Sequence, residues 1–455
     1  MKGFIQTLQN IWNIKELRQK LLLTFALLLV YRFGSYVPLP GVDINEVNRF
    51  IEDQAHSKTG ILGLLNSFTG GSFSRASILA LGIMPYISAS IVVQLIGMAV
   101  PSIQKLQKEG ESGRNKVNQI TRWLTIGICL VQAPAYLTLT TSQILPYDPS
   151  SGYAFYLLPP SNFWFWFPSI IILVTGTIFA MWLGEKITDK GIGNGISILI
   201  MVGILADLPR ALMNSFETDT SGGMFFLLEI LGLILVIAFC IMIVSAVRKV
   251  PVQYVRRAQT GSSSYIRSVT DSVRSYIPLK VNAAGVMPII FAQAIMFLPG
   301  TIASYFLDGD SRIQQFFVKM ADPFTFEYNL IFGLLIIVFT FFYTAITIPV
   351  NQMAEDLKRN GGIIPGIKPG RETANYLDDI LSKITLPGAF LLTLVAILPA
   401  LVRLLGVEQS LAMFFGGTSL LIMVSVILDT VQQINTYLLN QHYDGMMASG
   451  RTSRK

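Results

Sequence analysis

Predominantly apolar stretches of 17 residues or more recur ten times along this 455-residue chain, and they decide what it can fold into. They lie near 21–37, 76–100, 122–141, 164–184, 192–208, 224–247, 283–306, 329–350, 384–404 and 411–430. About 20 apolar residues in a helix cross the ~30 Å hydrocarbon core of a bilayer. In that solvent only helices and closed barrels satisfy their own backbone polar groups. Continuous runs of this length predict helices, so the expected fold class is an all-α integral membrane protein with ten transmembrane helices. The composition, 52% hydrophobic and 13% charged, excludes an ordinary soluble globular class. No cleavable signal peptide is expected, because the first stretch lacks a small-residue cleavage site and nine more follow it.

Charge sets the orientation. Of the 34 Lys and Arg, 26 fall in the segments on the N-terminal side of the membrane, 7 fall in the opposite loops, and Arg32 lies in the first span. By the positive-inside rule both termini are cytoplasmic, and the net charge of +7 reads as a topology signal rather than a nucleic-acid footprint. Trp164 and Trp166 mark the outer interface.

Residues 60 to 100 do not read as a simple span. Ile61, Leu64, Leu65 and Phe68 share one helix face, with Asn66, Ser67 and Thr69 elsewhere around it. Gly70 and Gly71 end that helix, and Ser72 or Ser74 can cap a second from about Ala76 to Val100, bent at Pro85. Three helical turns cannot cross a bilayer, so the first piece is either an interfacial helix or a re-entrant stopper. Interfacial helices carry basic residues on their polar face; this one has none, which favours the re-entrant reading.

Two inner loops are too long for mere connectors. Residues 248–282 combine Arg256, Arg257, Arg267 and Arg274 with a Ser-rich turn, which predicts a hairpin standing in the cytoplasm. Residues 351–383 carry a Gly/Pro-rich tip from Gly361 to Gly370, then Tyr376, Leu377, Ile380, Leu381 and Ile384 on one helix face. Exposed basic tips on ordered stems suit docking.

Chemistry is sparse. Gly191-Ile192-Gly193-Asn194-Gly195 has no preceding strand and no following Lys-Ser/Thr, so a tight turn is expected rather than a phosphate loop. Glu229 and Asp429 fall near span ends, where both can be solvated. Cys129 and Cys240 sit inside spans as packing residues, His56 and His442 are isolated in loops, and neither a metal site nor a cofactor is expected. No energy-coupling motif is present, so an enzyme is not expected. Ile83, Ile87, Ile200, Ile290 and Ile422 recur at mid-span. They are either ordinary lipid-facing or core residues or a hydrophobic constriction that blocks ions by dewetting.

The motifs Gly70-Gly71 through Ser74-Arg75-Ala76-Ser77 and Leu81-Gly82-Ile83-Met84-Pro85-Tyr86-Ile87-Ser88-Ala89-Ser90, Gly191-Ile192-Gly193-Asn194-Gly195-Ile196-Ser197, Pro278-Leu279-Lys280-Val281-Asn282-Ala283-Ala284-Gly285-Val286, Pro365-Gly366-Ile367-Lys368-Pro369-Gly370 and Phe415-Gly416-Gly417-Thr418-Ser419-Leu420-Leu421-Ile422 stand in one order. In that order the whole chain resembles the SecY family, the channel subunits of the bacterial protein translocase. The resemblance implies two pseudo-symmetric inverted five-helix halves around a central pore, residues 1–208 and 209–455. It further implies a plug over 61–73, with Ile61, Leu64, Leu65, Phe68, Gly70 and Gly71, and a pore ring of the five isoleucines. The lateral gate would lie between spans 2 and 7, with Ser88, Gln94, Asn282 and Gln293 on or near it; ordinary interhelical hydrogen bonding is the plainer use of those four.

The implied function is to pass unfolded polypeptides across the bacterial cytoplasmic membrane and to release hydrophobic segments sideways into lipid. Implied partners are SecE, SecG, the SecA motor ATPase or a ribosome, preproteins with their signal sequences, and membrane lipids. Docking would use Arg256, Arg257, Lys358, Arg359, Lys368 and Arg371. Two departures stand out: the family's tip arginine is Lys368 here, which loses the bidentate fork, and the 248–282 loop has a Ser-rich insertion. A secondary transporter with an inverted repeat and a pore-less insertase or scaffold are the alternative readings.

Overall fold

The computed structural model describes residues 14–53, 69–100, 109–141, 163–218, 223–254, 274–293 and 322–452, with isolated positions 12, 102, 103, 106, 145, 155, 156, 295, 296 and 319. The chain forms two compact units, Met1–Glu217 with Val426–Lys455, and Thr218–Ser425. Among the described residues, seven helices are long and apolar enough to cross a membrane. Two further expected spans are helical but fall short of that description. Helix α1 (Lys15–Gly34) carries Lys15, Glu16, Arg18 and Lys20 at one end and Arg32 near the other, while α3 (Met84–Ala99) has only 16 residues. Of the expected span 283–306, residues 283–286 run as turns and 287–293, 295 and 296 are helical, while 294 and 297–306 lie outside the described residues.

In the first unit α1 is followed by a short helix, α2 (Ile44–Asp53), then by α3, α4 (Glu111–Leu139), α5 (Phe163–Lys190) and α6 (Gly195–Thr218). Helix α4 packs on α3 and α5, and α5 also packs on α1. Small residues permit these approaches. A Cβ on Gly176 of α5 would lie 2.0 Å from the Ile78 carbonyl oxygen, so the two backbones touch there. At one end of the unit Phe73, Tyr136, Leu145, Phe155 and Phe165 build a buried cluster with Leu39, Val42 and Val47. The Tyr156 hydroxyl beside it donates to the Leu145 carbonyl at 2.9 Å, and burial pushes its phenol well above the usual tyrosine range, keeping it a neutral donor.

The expected second span needs correction. No helix begins at Ala76 and neither Ser72 nor Ser74 caps one: residues 70–83 run as turns, with Gly70, Gly71, Ala76 and Gly82 at positive φ. Helix α3 starts at Met84, and Pro85 occupies its first turn, where a missing N–H costs nothing. Pro85 therefore starts this helix rather than bending it.

In the second unit α7 (Met224–Ser245) leads into β1 (Val247–Tyr254), which pairs antiparallel with β2 (Arg274–Lys280). This is the expected hairpin stem. Helices α8 (Phe326–Thr347) and α9 (Val350–Arg359) follow, then β3 (Gly362–Ile363), which adds to β1 to give the sheet order β2-β1-β3. Val250 and Val252 point to one face, as period two requires, and meet Leu279, Leu357, Ile364, Leu377 and Leu381 in a core of their own. Leu377 and Leu381 belong to α10 (Arg371–Leu404), so the amphipathic stretch after the tip and the ninth span are one 34-residue helix. Helix α8 packs along α10. The short α11 (Gln409–Ala412) precedes α12 (Gly417–Thr452), whose first residues belong to the second unit and whose remainder belongs to the first.

Gly176→Ala should lower the thermal midpoint in detergent, because a methyl forced against the Ile78 carbonyl overpacks the helix contact by about 1–3 kcal/mol. Gly127→Ala on α4 is the control, since a Cβ there has nothing within 4 Å, and it should leave the midpoint unchanged or raised. Equal behaviour of the two variants would show that the α5 approach is not tight.

Candidate functional site

The turn segment 70–83 is buried yet has no helix of its own, so its backbone must find partners elsewhere. It finds them on three elements. Arg32 Nη1 of α1 donates to the Gly70 carbonyl at 2.7 Å, and the Tyr136 hydroxyl of α4 donates to the Phe73 carbonyl at 2.7 Å. The loop after α1 exchanges two backbone bonds with it, Leu39 N–H to the Ala76 carbonyl at 2.8 Å and Ile78 N–H to the Val37 carbonyl at 2.9 Å. Thr69 Oγ1 accepts from Phe73 N–H at 3.2 Å. Phe73 also meets the Tyr136 ring edge-on, with centroids 4.8 Å apart.

Two arginines share one aromatic ring beside this segment. Arg32 and Arg75 lie 5.0 and 4.4 Å from the Tyr36 ring centroid, and Arg32 also donates to the Tyr36 hydroxyl at 3.2 Å. Arg75 Nη1 is buried and, among the described residues, has no hydrogen-bond partner; the hydroxyls of Ser72 and Ser77 share that state. A Cβ on Gly70 would lie 3.0 Å from the Gly203 backbone, so the segment also rests on α6, one turn from Ile200. The site therefore gathers α1, α4 and α6 around the two glycines that were expected to end the plug. Sequence reasoning missed Arg32, Tyr36, Arg75 and Tyr136, although a charged residue inside a span was signal enough to single out Arg32.

The other expected residues fall as follows. Ile61, Leu64, Leu65 and Phe68 lie outside the described residues; Gly70 and Gly71 are buried at φ +61° and +86°. In the first unit Ile83 is buried at the N-terminal boundary of α3, Ile87 stands one turn on, and Ile200 is buried in α6. In the second unit Ile290 lies in the first turn of helical residues 287–293, and Ile422 is buried in α12. That stretch of helix packs on α8 through Phe291, which meets the rings of Phe339 and Tyr343 edge-on.

Ser88 is half-buried, and Gln94 donates to Ser90 Oγ at 3.3 Å within α3. Asn282 is 5% exposed, and its side-chain oxygen is buried without a hydrogen-bond partner among the described residues. It follows Val281, whose carbonyl oxygen would stand 2.8 Å from a Cβ on Gly388, so α10 fixes the chain at this point. Gln293 is half-buried. Arg256 and Arg257 lie outside the described residues; Lys358, Arg359, Lys368 and Arg371 are exposed on the rim of the sheet and α9. Arg359 and Lys368 make only long, solvent-screened pairs, each at 3.9 Å, with Glu355 and Glu372.

Two further expectations resolve here. Glu229, expected to be solvated, is buried at 4% exposure in the second turn of α7. The 191–195 segment is a turn, and side chains take up its donors: Ile192, Gly193 and Gly195 N–H go to Thr24, Gln433 and Thr188.

Comparison with known proteins decides the family. The SecY family model matches residues 77–431. The protein translocase subunit SecY of Escherichia coli K12 is 39% identical over 446 residues, covering 96% of this chain and 95% of that one. The chain belongs to the SecY family. The corresponding subunit of Chlamydia trachomatis is 37% identical, over 98% of each chain. Among solved structures, one described as "The structure of a protein conducting channel" superposes with a TM-score of 0.60 at 16% identity, covering 92% of this chain and 91% of that one. Sec61 in the canine ribosome-channel complex gives 0.55 at 15% identity, with the same coverage. This SecY-family chain is thus a multi-pass membrane protein with the channel fold. It is a protein-conducting channel subunit, a transporter and not an enzyme.

Arg32→Leu should speed amide exchange of Phe73 and Arg75 by about tenfold, the loss that a charge-assisted hydrogen bond brings. Unchanged exchange would mean that Gly70 is held without Arg32.

Proposed function

We propose that this chain is the passive pore through which unfolded secretory polypeptides cross the bacterial cytoplasmic membrane, with both termini in the cytoplasm. Its functional halves are residues 1–208 and 209–455, residues 61–73 are the plug, and Ile83, Ile87, Ile200, Ile290 and Ile422 are the ring that seals around the passing chain. The observation that carries this reading is the buried non-helical segment 70–83, held by donors from α1 and α4. Irregular backbone at membrane depth is tolerated only where protein buries it or it lines a cavity, and a movable stopper needs a fixed root.

Spans 2 and 7 form the lateral gate, with Ser88, Gln94, Asn282 and Gln293 along it. The side-chain oxygen of Asn282, buried with no hydrogen-bond partner among the described residues, supports this: such a group costs stability in a closed apolar site, and a gate that opens to an incoming chain gives it partners. A hydrophobic signal or membrane segment leaves through the gate because lipid stabilises it by ~25 cal/mol per Å2 of apolar surface. An apolar ring suits unrestricted cargo, since it excludes water and ions without offering a polar partner to any one sequence.

Because the chain supplies no energy source, force comes from partners on the cytoplasmic face. The sheet, α9 and the tip 361–370 form a rigid platform with its own core, and its exposed Lys358, Arg359, Lys368 and Arg371 suit an acidic motor surface or the phosphates of ribosomal RNA. The relative found in a ribosome-channel complex supports the ribosome as one such partner. SecA is the other, and SecE and SecG complete the complex.

A photoreactive residue at position 87 in the reconstituted complex should crosslink to a stalled secretory chain, dependent on its signal sequence and on added motor or ribosome. Absence of crosslinks with the client fully bound would sink the ring assignment. Deleting residues 61–73, or placing Asn at Ile83, should raise resting ion leak while transport continues; leak at wild-type level in both would count against plug and ring together.

A further inference from the structure

The 191–195 turn is built as a junction, and its function is not accounted for by the pore, the gate or the docking platform. Three of its backbone donors are claimed by side chains from three helices. Ile192 N–H goes to Thr24 Oγ1 of α1 at 3.2 Å, Gly193 N–H to Gln433 Oε1 of α12 at 2.9 Å, and Gly195 N–H to Thr188 Oγ1 of α5 at 2.9 Å. Thr24 can accept because its own hydroxyl proton goes to the Lys20 carbonyl at 2.9 Å.

Close packing leaves no freedom at this point. A Cβ on Gly191 would lie 2.4 Å from Thr24 Oγ1, one on Gly195 would lie 2.0 Å from the Gly184 carbonyl oxygen, and Gly193 at φ +79° stands 3.2 Å by the same measure from Thr430 Oγ1. Thr430, Gln433 and Tyr437 share one face of α12, and Lys20 Nζ of α1 donates to the Tyr437 hydroxyl. The turn and α1 therefore grip one face of α12 over about two helical turns.

We propose that Gln433 is a positioning residue: by accepting the Gly193 N–H it fixes the register of α12, and so sets where Ile422 stands on the same helix. Eleven residues separate Ile422 from Gln433, about 16 Å along an unbroken helix. A slip or rotation at the clamp is carried along that length, because a helix with intact backbone bonds transmits rotation as a rod. The proposal rests on the reading of Ile422 as part of the seal, and it adds how a residue outside the seal keeps it closed. Gln433 works as an acceptor only, so charge and donor capacity are incidental, and its exposed side chain tolerates either.

That chemistry fixes the test. Gln433→Leu keeps comparable bulk and removes the acceptor, whereas Gln433→Glu keeps an acceptor oxygen at the same reach. In vesicles with the reconstituted full complex, Gln433→Leu should raise resting ion leak severalfold and speed exchange of the Gly193 amide about fivefold, the change expected from losing one ordinary hydrogen bond. Gln433→Glu should match wild type in both. Ile422→Asn, measured alongside, reports on the ring itself. Leak from Gln433→Glu equal to that from Gln433→Leu, or wild-type leak from Gln433→Leu, overturns the proposal. If Gln433→Leu stays tight while Ile422→Asn leaks, the ring stands and the clamp falls; if neither leaks, the ring reading has failed and takes the clamp with it.

Discussion

The hydrogen bond from Arg32 to the Gly70 carbonyl is the contact on which the first unit's peculiar architecture depends. A guanidinium in an apolar span and a carbonyl in a non-helical turn are each costly alone, and each removes the other's cost. With that bond made, the chain can leave the helical pattern for residues 70–83 and remain buried. Tyr136 and the backbone of residues 37–39 finish the task for Phe73, Ala76 and Ile78. Tyr36 then spreads the charge of both arginines over one ring. What results is a buried turn segment fixed to α1, α4 and the loop after α1.

The second unit solves a different problem, how to present a basic surface rigidly outside the membrane. A free hairpin of two strands is marginal in water, and this one is stabilised by a third strand and by α9 and α10 against its apolar face. Because α10 runs unbroken from the platform into the ninth span, the platform is continuous with a transmembrane helix. Force applied at the tip therefore has a covalent, hydrogen-bonded path into the membrane part of this unit. Gly388, where α10 meets Val281 next to Asn282, lies on that path.

Much was legible beforehand because bilayers impose simple rules. Seven of the helices that the apolar runs predicted are long and apolar enough to cross a membrane, and the turn at 191–195 and the hairpin of 248–282 were read from local residue chemistry. The second span was misread for a specific reason. Apolar content from Ala76 onward satisfies a hydropathy argument, but Ala76 and Gly82 adopt positive φ and Pro85 begins the helix. Hydropathy counts burial, and residues 70–83 are buried by protein rather than as part of a helix. Glu229 failed in the same way, since distance from a span's end says nothing about what neighbours bury it.

The sequence by itself determined the solvent and the family, because the first follows from composition along the chain and the second from ordered motifs. Tertiary structure alone decided that Arg32 meets Gly70, that Tyr136 meets Phe73 and that Gln433 meets Gly193. These partners are separated by 38, 63 and 240 positions. No local propensity encodes such pairings: they exist because buried backbone groups must be satisfied by whatever donor or acceptor the packing of whole helices brings within about 3 Å.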